Sequence, residues 1–295
     1  MKPAPFEYRA PDTLEEALEL LGEHGVEAKI LAGGQSLIPS MNFRVLQPVM
    51  LIDINHIPGL ADIRLTDSGS VSVGAMARQA SLEHDPTIAK HAPLLHETLP
   101  NIAHPQIRNR GTIGGSLAHA DPASELPVYA LARDARMRIR SKQGERWVEA
   151  ADFFLGMFTT ALNPDDLLVE IEVAAPPEGF GWSFQEVARR RGDYALMGVA
   201  AWVVLERDGD CKDARLVYLN AGDGPVRAKK AEAVLKERRL SSEAIDEAAS
   251  IASEQEIEPF GSVHASEAFQ RHLAGVLTRR TLHSALARAQ NGRQA

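Results

Sequence analysis

The sequence predicts an α+β protein assembled in stages: a small α/β unit, a mainly antiparallel sheet with helices, then a small antiparallel sheet followed by a helical bundle. Three observations carry this. Apolar residues recur three and four apart near the start and over the last part of the chain, as helices require. Short β-type runs flank Asp67-Ser68-Gly69, Lys142-Gln143-Gly144 and Asp208-Gly209-Asp210, as hairpins require. Pro176-Pro177-Glu178-Gly179 interrupts both patterns, because prolines and glycine block helix and ladder alike.

The elements follow in order. Thr13 is the expected N-cap of a helix carrying Leu14, Ala17, Leu18 and Leu21, with Glu16 placed to complete a capping box. That helix should stop within Gly22 to Gly25. Ala28 to Ala32 reads as a short buried strand ended by Gly33-Gly34, and Val49 to Ile54 as another. Ile63–Leu65 and Val71–Val73 form a hairpin. Ser81 to Leu99 is helical, broken by Pro86 and Pro93. Met137–Ile139 pairs with Trp147-Val148, and Leu167 to Val173 is a further strand. Beyond the prolines come a hairpin of Gly198–Leu205 with Ala214–Asn220, then helices over Ala228–Arg238, Ser242–Glu254 and Ser266–Ala287. The break puts one domain at residues 1–177, with subdomains 1–57 and 58–177, and a second at 178–295.

Composition narrows the function. With 44% hydrophobic and 24% charged residues, the chain is no disordered tail, collagen-like fibre or coiled-coil rod. Its 32 basic against 40 acidic residues, a net charge of −8, argue against a general nucleic-acid binder. The single cysteine, Cys211, can make no internal disulfide and cannot hold an iron–sulfur cluster, so any cluster sits in a partner. The longest apolar run, Ala195 to Leu205, is shorter than the roughly 20 residues a membrane helix needs. The N-terminus has no apolar core of signal-peptide length. A cytoplasmic protein is expected.

Two glycine turns stand out, Ala32-Gly33-Gly34-Gln35-Ser36-Leu37 and Thr112-Ile113-Gly114-Gly115-Ser116-Leu117. Glycines let backbone N–H groups approach a ligand, and consecutive N–H groups form an anion-binding nest. A helix opening after each turn would add its N-terminal dipole. No Lys or Arg lies within Ala32 to Ser36, so a phosphate there would rest on backbone donors. The same patterns also suit plain strand-end turns. Neither turn continues as a P-loop or as a G-x-G-x-x-G dinucleotide fingerprint.

After the second turn, Ser116, His119, Asp121, Ser124 and Glu125 crowd polar groups into an otherwise apolar stretch, as a polyhydroxyl ligand would use. Asp121-Pro122 starts a turn, and Ser124 is a candidate cap. The ten histidines form no metal signature, and no nucleophile elbow or acid–base dyad is present. Arg189-Arg190-Arg191 precedes Gly192-Asp193-Tyr194, whose aromatic ring is either core or a stacking surface.

Taken together, these motifs resemble the medium, FAD-binding subunit of the molybdenum hydroxylases, the group of aerobic carbon monoxide dehydrogenase and xanthine dehydrogenase. The resemblance spans nearly the whole chain. It runs through P-F-E-Y-R-A-P-D-T-L-E-E-A, A-G-G-Q-S-L-I-P-S-M-N-F-R, L-I-D-I-N, I-R-N-R-G-T-I-G-G-S-L-A-H-A-D-P-A-S-E-L-P and R-R-R-G-D-Y-A in the family's order. It implies a two-subdomain FAD-binding domain followed by a C-terminal domain of the carbon monoxide dehydrogenase flavoprotein type. Ala32, Gly33, Gly34, Gln35, Ser36 and Leu37 would hold the FAD pyrophosphate. Thr112, Ile113, Gly114, Gly115 and Ser116 would form the facing loop. Ile102 and Leu168 match apolar positions near the flavin. Asp121 belongs to the polar segment, and Glu125 falls where relatives often place an acid for ribityl or ribose hydroxyls. Tyr194 matches an aromatic residue beside the isoalloxazine. Relatives often carry a lysine in the segment aligned with Phe184–Val187; here the central residues are Gln185 and Glu186. A carboxylate there would affect how the reduced, anionic flavin is stabilised.

By this resemblance the chain is an electron-transfer subunit. A large partner would carry molybdopterin and hydroxylate substrate, and a small partner two [2Fe–2S] clusters, in a dimer of heterotrimers. Carbon monoxide, a purine, an N-heterocycle and an aldehyde all remain open as substrates, and NAD, a quinone and oxygen as acceptors. Two rivals stand beside it: a free-standing FAD-dependent oxidoreductase, and a non-redox nucleotide-binding module.

Overall fold

A computed structural model describes residues 1–292; the last three residues of the expected 178–295 domain lie outside the described residues. The strands are β1 Glu7–Arg9, β2 Ala28–Leu31, β3 Met50–Asp53, β4 Ile63–Leu65, β5 Val71–Gly74, β6 Arg136–Ser141 and β7 Gly144–Glu149. They continue as β8 Phe154–Gly156, β9 Thr159–Thr160, β10 Leu167–Val173, β11 Phe180–Ala188, β12 Ala195–Leu205, β13 Cys211–Leu219 and β14 Val226–Arg227. The helices are α1 Leu14–His24, α2 Leu37–Asn42, α3 Gln79–His84, α4 Pro86–His91, α5 Pro93–Thr98 and α6 Pro105–Arg108. The remainder are α7 Ile113–His119, α8 Glu125–Ala132, α9 Ala150–Phe153, α10 Lys229–Leu235, α11 Ser242–Ile251 and α12 Glu267–Asn291.

The first unit is a parallel sheet in the order β1-β3-β2. Thr13 caps α1 by accepting the Glu16 amide at 3.2 Å, and Glu16 accepts the Asp12 amide, one residue before the cap's own. Ala17, Leu18 and Leu21 of α1 pack with Met50 and Ile52 of β3. The middle sheet, β4-β5-β10-β6-β7, is antiparallel throughout. The two prolines expected to break the Ser81–Leu99 stretch open new helices at their first position, where the missing N–H costs nothing.

The C-terminal sheet, β11-β12-β13-β14, is antiparallel. Its first strand, β11, was not expected from the sequence. One face packs against α12 and its neighbouring helices, and the other joins the core of the middle sheet. This double cover explains why β12 is an unbroken apolar run. Trp202 of β12 donates its indole N–H to the Ala132 carbonyl at the end of α8. Arg215 of β13 holds Asp134 with two bonds of 2.8 and 2.6 Å. Phe180, Phe184 and Trp202 share one apolar cluster with Leu95, Tyr129 and Ile139, so the core is continuous across the Pro176-Pro177 segment.

Candidate functional site: two facing glycine loops

The first loop joins β2 to α2. Gly34 has φ +73°, a conformation glycine reaches without strain. The amides of Gly33, Gly34, Gln35, Ser36 and Leu37 donate to no protein acceptor among the described residues; the first to do so is Ile38, to Gly34 O at 3.1 Å. Gly33 is buried and the other four are half-buried. Such a row of donors is costly unless something accepts from it.

Side chains distant in sequence fix this loop. Asn55, just past β3, donates to the Ala32 carbonyl at 2.9 Å and to Asp53 Oδ1 at 2.5 Å. Asp53 in turn accepts the Tyr8 hydroxyl at 2.6 Å. Arg78 reaches across, donating to Asn55 Oδ1 and to the Arg110 carbonyl. Burial and the Arg110 charge hold the Arg78 guanidinium below its ordinary range. The cations missing from Ala32–Ser36 are thus brought alongside by the fold. Sequence reasoning missed Arg78 and Asn55. The quoted L-I-D-I-N strand end was the one signal for Asn55, and nothing local marked Arg78.

The second loop meets the first backbone to backbone. A Cβ on Gly33 would stand 2.4 Å from the Arg110 carbonyl oxygen, and one on Gly115 would stand 3.7 Å from the Ala32 Cβ. The expectation that this turn is also an anion nest is corrected by its hydrogen bonds. Ile113 donates to Ala77 O, Gly114 to Ala75 O, Gly115 to the Thr112 hydroxyl and Ser116 to Thr112 O. Those amides already have acceptors. Gly114 is needed for packing instead, since a Cβ there would stand 2.4 Å from the Ala75 Cβ. Gly115 and Ser116 are half-buried, whereas Ile113 is core.

α7, seven residues and so roughly 10 Å long, runs from this junction to the polar segment. Asp121 accepts the Ala123 amide at 2.9 Å, forming the expected turn. Ser124 occupies the cap position of α8 but makes no cap bond. The Asn220 amide donates to Pro122 O at 2.7 Å, docking this segment on the C-terminal sheet. At the β11–β12 turn, Gly192 has φ +88° and lies so close to His104 that a Cβ would stand 2.3 Å from its ring. That contact holds the Tyr194 loop beside the Ile102–His104 segment. Tyr194 is 72% exposed, and so is not core. Desolvation at its hydroxyl, then the charges of Asp121 and Glu125, raise its pKa. Burial, with Asp121 adding to it, pushes Glu125 up to about 7. Ile102 and Leu168 are buried in the middle core.

The expected residues therefore form two groups, one at each end of α7. Comparison with known proteins shows the family of the chain. The FAD-binding domain of molybdopterin dehydrogenases matches residues 4–176, and the carbon monoxide dehydrogenase flavoprotein C-terminal domain matches residues 182–285. The chain belongs to the FAD-binding medium subunits of the molybdenum hydroxylases. The alpha subunit of the 6-hydroxypseudooxynicotine dehydrogenase complex of Paenarthrobacter nicotinovorans is 45% identical over 98% of this chain and 97% of its own length. The nicotine 6-hydroxylase medium subunit of the same organism is 39% identical over 98% of this chain and 100% of its own. A solved structure of carbon monoxide dehydrogenase from Hydrogenophaga pseudoflava superposes with a TM-score of 0.94 at 39% identity, covering 98% of this chain and 99% of that one.

This medium subunit is thus an FAD-binding oxidoreductase component that works with partner chains. No helix among the described residues is long and apolar enough to cross a membrane. Its residues fit FAD on structural grounds. The unaccepted amides of Gly33–Leu37 suit a diphosphate, and half-buried Asp121 offers a hydroxyl acceptor at the other end of α7.

Proposed function

We propose that FAD lies along α7, its diphosphate on the Gly33–Leu37 amides and its ring system at the Tyr194 end. The observation carrying this is the row of amides without protein acceptors, facing a second loop whose Ile113–Ser116 amides already have acceptors. Bound FAD supplies reversible electron storage. The chain's own residues do the rest. Asn55 and Arg78 hold the loop in shape, Gly115 and Ser116 line the opposite wall, and Tyr194 covers the outer end.

In this reading the subunit passes electrons from [2Fe–2S] clusters of a small partner to NAD, a quinone or oxygen, while a large molybdopterin partner hydroxylates the substrate. One cysteine in the whole chain supports placing the clusters elsewhere. The assembly is a dimer of heterotrimers in the cytoplasm. Affinity purification of the tagged chain from its native host tests this. The two partner subunits and bound FAD should co-purify in equal amounts with the chain. A lone flavoprotein with its own turnover would instead establish the free-standing oxidoreductase.

A further inference from the structure

β12 begins with an irregularity. Val187 of β11 pairs with Met197 and Ala188 with Ala195, so Leu196 is an extra residue on β12. On the other side, the β12–β13 ladder ends at Gly198 and Leu219, short of Ala195 and Leu196. A bulge of this kind leaves backbone groups outside the ladder and bends the strand, which re-aims the side chains beside it. The residue leading into the bulge is Tyr194. Its ring is exposed, so its aim is set by the backbone that carries it.

Two side-chain amides take up the bulge. Asn220, the residue after β13, donates from Nδ2 to the Ala195 carbonyl at 2.9 Å and to the Leu196 carbonyl at 3.2 Å. Gln270 of α12, 1% exposed, donates from Nε2 to the same Leu196 carbonyl at 3.0 Å. It also reaches the Asn220 carbonyl at 3.4 Å, and its Oε1 accepts the Gly261 amide at 2.9 Å. Asn220 has φ +54°, a left-handed conformation that asparagine adopts more readily than most residues. Its backbone amide donates to Pro122 O at 2.7 Å. Pro122 follows Asp121 on the segment between α7 and α8. Asn220 therefore fastens the start of β12 to the segment at the far end of α7, by its side chain on one side and its backbone on the other.

We propose that Asn220, backed by Gln270, is a positioning residue for Tyr194. Its side-chain amide locks the Leu196 bulge and so holds the tyrosine beside the Asp121–Pro122 segment, at the outer end of the cofactor. The cofactor part of this proposal rests on the FAD site proposed above. Asn220 acts through Tyr194 and not on the cofactor itself.

Asn220→Gly suits the test, because glycine keeps the left-handed φ and the amide to Pro122 and removes only the side-chain donors. Gln270→Met, similar in size, removes the second donor and guards against one variant failing to fold. The full chain is labelled with 3-fluorotyrosine, and the Tyr194 resonance is identified by its loss in Tyr194→Phe. In the FAD-free chain that line should narrow by roughly twofold in both variants, as faster local motion does. With FAD added, the resonance should shift in the wild type and shift less in the variants. Flavin emission, which a tyrosine in contact quenches, should rise in Asn220→Gly towards the level of Tyr194→Ala. Adding Asn220→Gly to Tyr194→Ala should raise it no further. Equal line widths in the FAD-free wild type and both variants would overturn the clamp. Additive emission changes in the double variant would overturn its action through Tyr194. A wild-type Tyr194 resonance unmoved by bound FAD would overturn the placing of the ring system at Tyr194 and the cofactor part of the proposal, while the FAD-free line widths still decide the clamp.

Discussion

Gly33 lies against the Arg110 carbonyl so closely that a Cβ on Gly33 would stand 2.4 Å from that oxygen and 2.8 Å from the Gly111 Cα. The two glycine loops therefore touch through bare backbone. A Gly33→Asp exchange, which by sequence alone should act by setting a carboxylate against the pyrophosphate, fails first on sterics. Gly33→Ala is expected to destabilise the chain by about 1–3 kcal/mol and to lose FAD. Thermal unfolding with and without FAD checks both; wild-type FAD retention would contradict the loop contact.

Ser36 gives a cleaner electrostatic probe. Its amide has no protein acceptor, and its side chain is half-buried at the start of α2. Ser36→Asp should leave the unfolding midpoint near wild type while weakening FAD binding at least tenfold. Titrations at low and high salt check the cause, because screening should narrow the gap. Equal affinity for wild type and variant would remove the diphosphate from this loop.

Asn55 holds the Ala32 carbonyl, Asp53 and Arg78 at once. Asn55→Ala takes the donor from the Ala32 carbonyl and the Oδ1 acceptor from Arg78, at a cost of about 1–3 kcal/mol. Since Asn55 itself lies behind the loop, the expected result is a roughly tenfold weaker FAD affinity through loss of loop order, equivalent to about 1.4 kcal/mol. Flavin titration measures it.

Arg288 of α12 reaches the Trp182 carbonyl at 2.7 Å and also engages Glu97 of α5. Glu97 accepts the Phe184 amide at 3.2 Å. Glu97→Ala strips partners from both halves, and we expect about 1–3 kcal/mol lower stability in urea unfolding. Arg288→Ala should cost less, because the Phe184 amide keeps its acceptor.

Stability should depend on pH in a defined direction. Burial raises Glu125 to about 7 and Glu186 to about 8 from an ordinary value of 4.5. Between those limits the folded chain holds protons that the unfolded chain has released. Unfolding then releases protons, so these groups' contribution is complete below about pH 4.5 and is lost as pH rises through about 8. Urea midpoints across that range should fall in the wild type and flatten in Glu186→Gln.

Much of this architecture was legible in the chain. Thr13, the hairpin glycines and the apolar spacing of α1 and α12 are local signals, and local physics honours them. β11 was not legible, because Gly181 and the polar Gln185 and Glu186 break its pattern. Gly181 is there because α12 packs on it: a Cβ would stand 2.0 Å from the Ala285 carbonyl oxygen. The glycine loops were visible, but their difference was not. The Ile113 and Gly114 amides of the second loop are taken by Ala77 and Ala75, which only the fold brings near. The reach of Arg78 to Asn55 and to the Arg110 carbonyl is likewise a long-range product of the topology.

Hydrogen exchange at the Gly33–Leu37 amides, with and without FAD, tests the central claim most directly. These amides have no protein acceptor, so they should exchange fast in the FAD-free chain and slow markedly once FAD is bound. The amides of Ile113, Gly114 and Gly115 should be protected in both states. Stoichiometric FAD binding that leaves Gly33–Leu37 exchange unchanged would contradict the site.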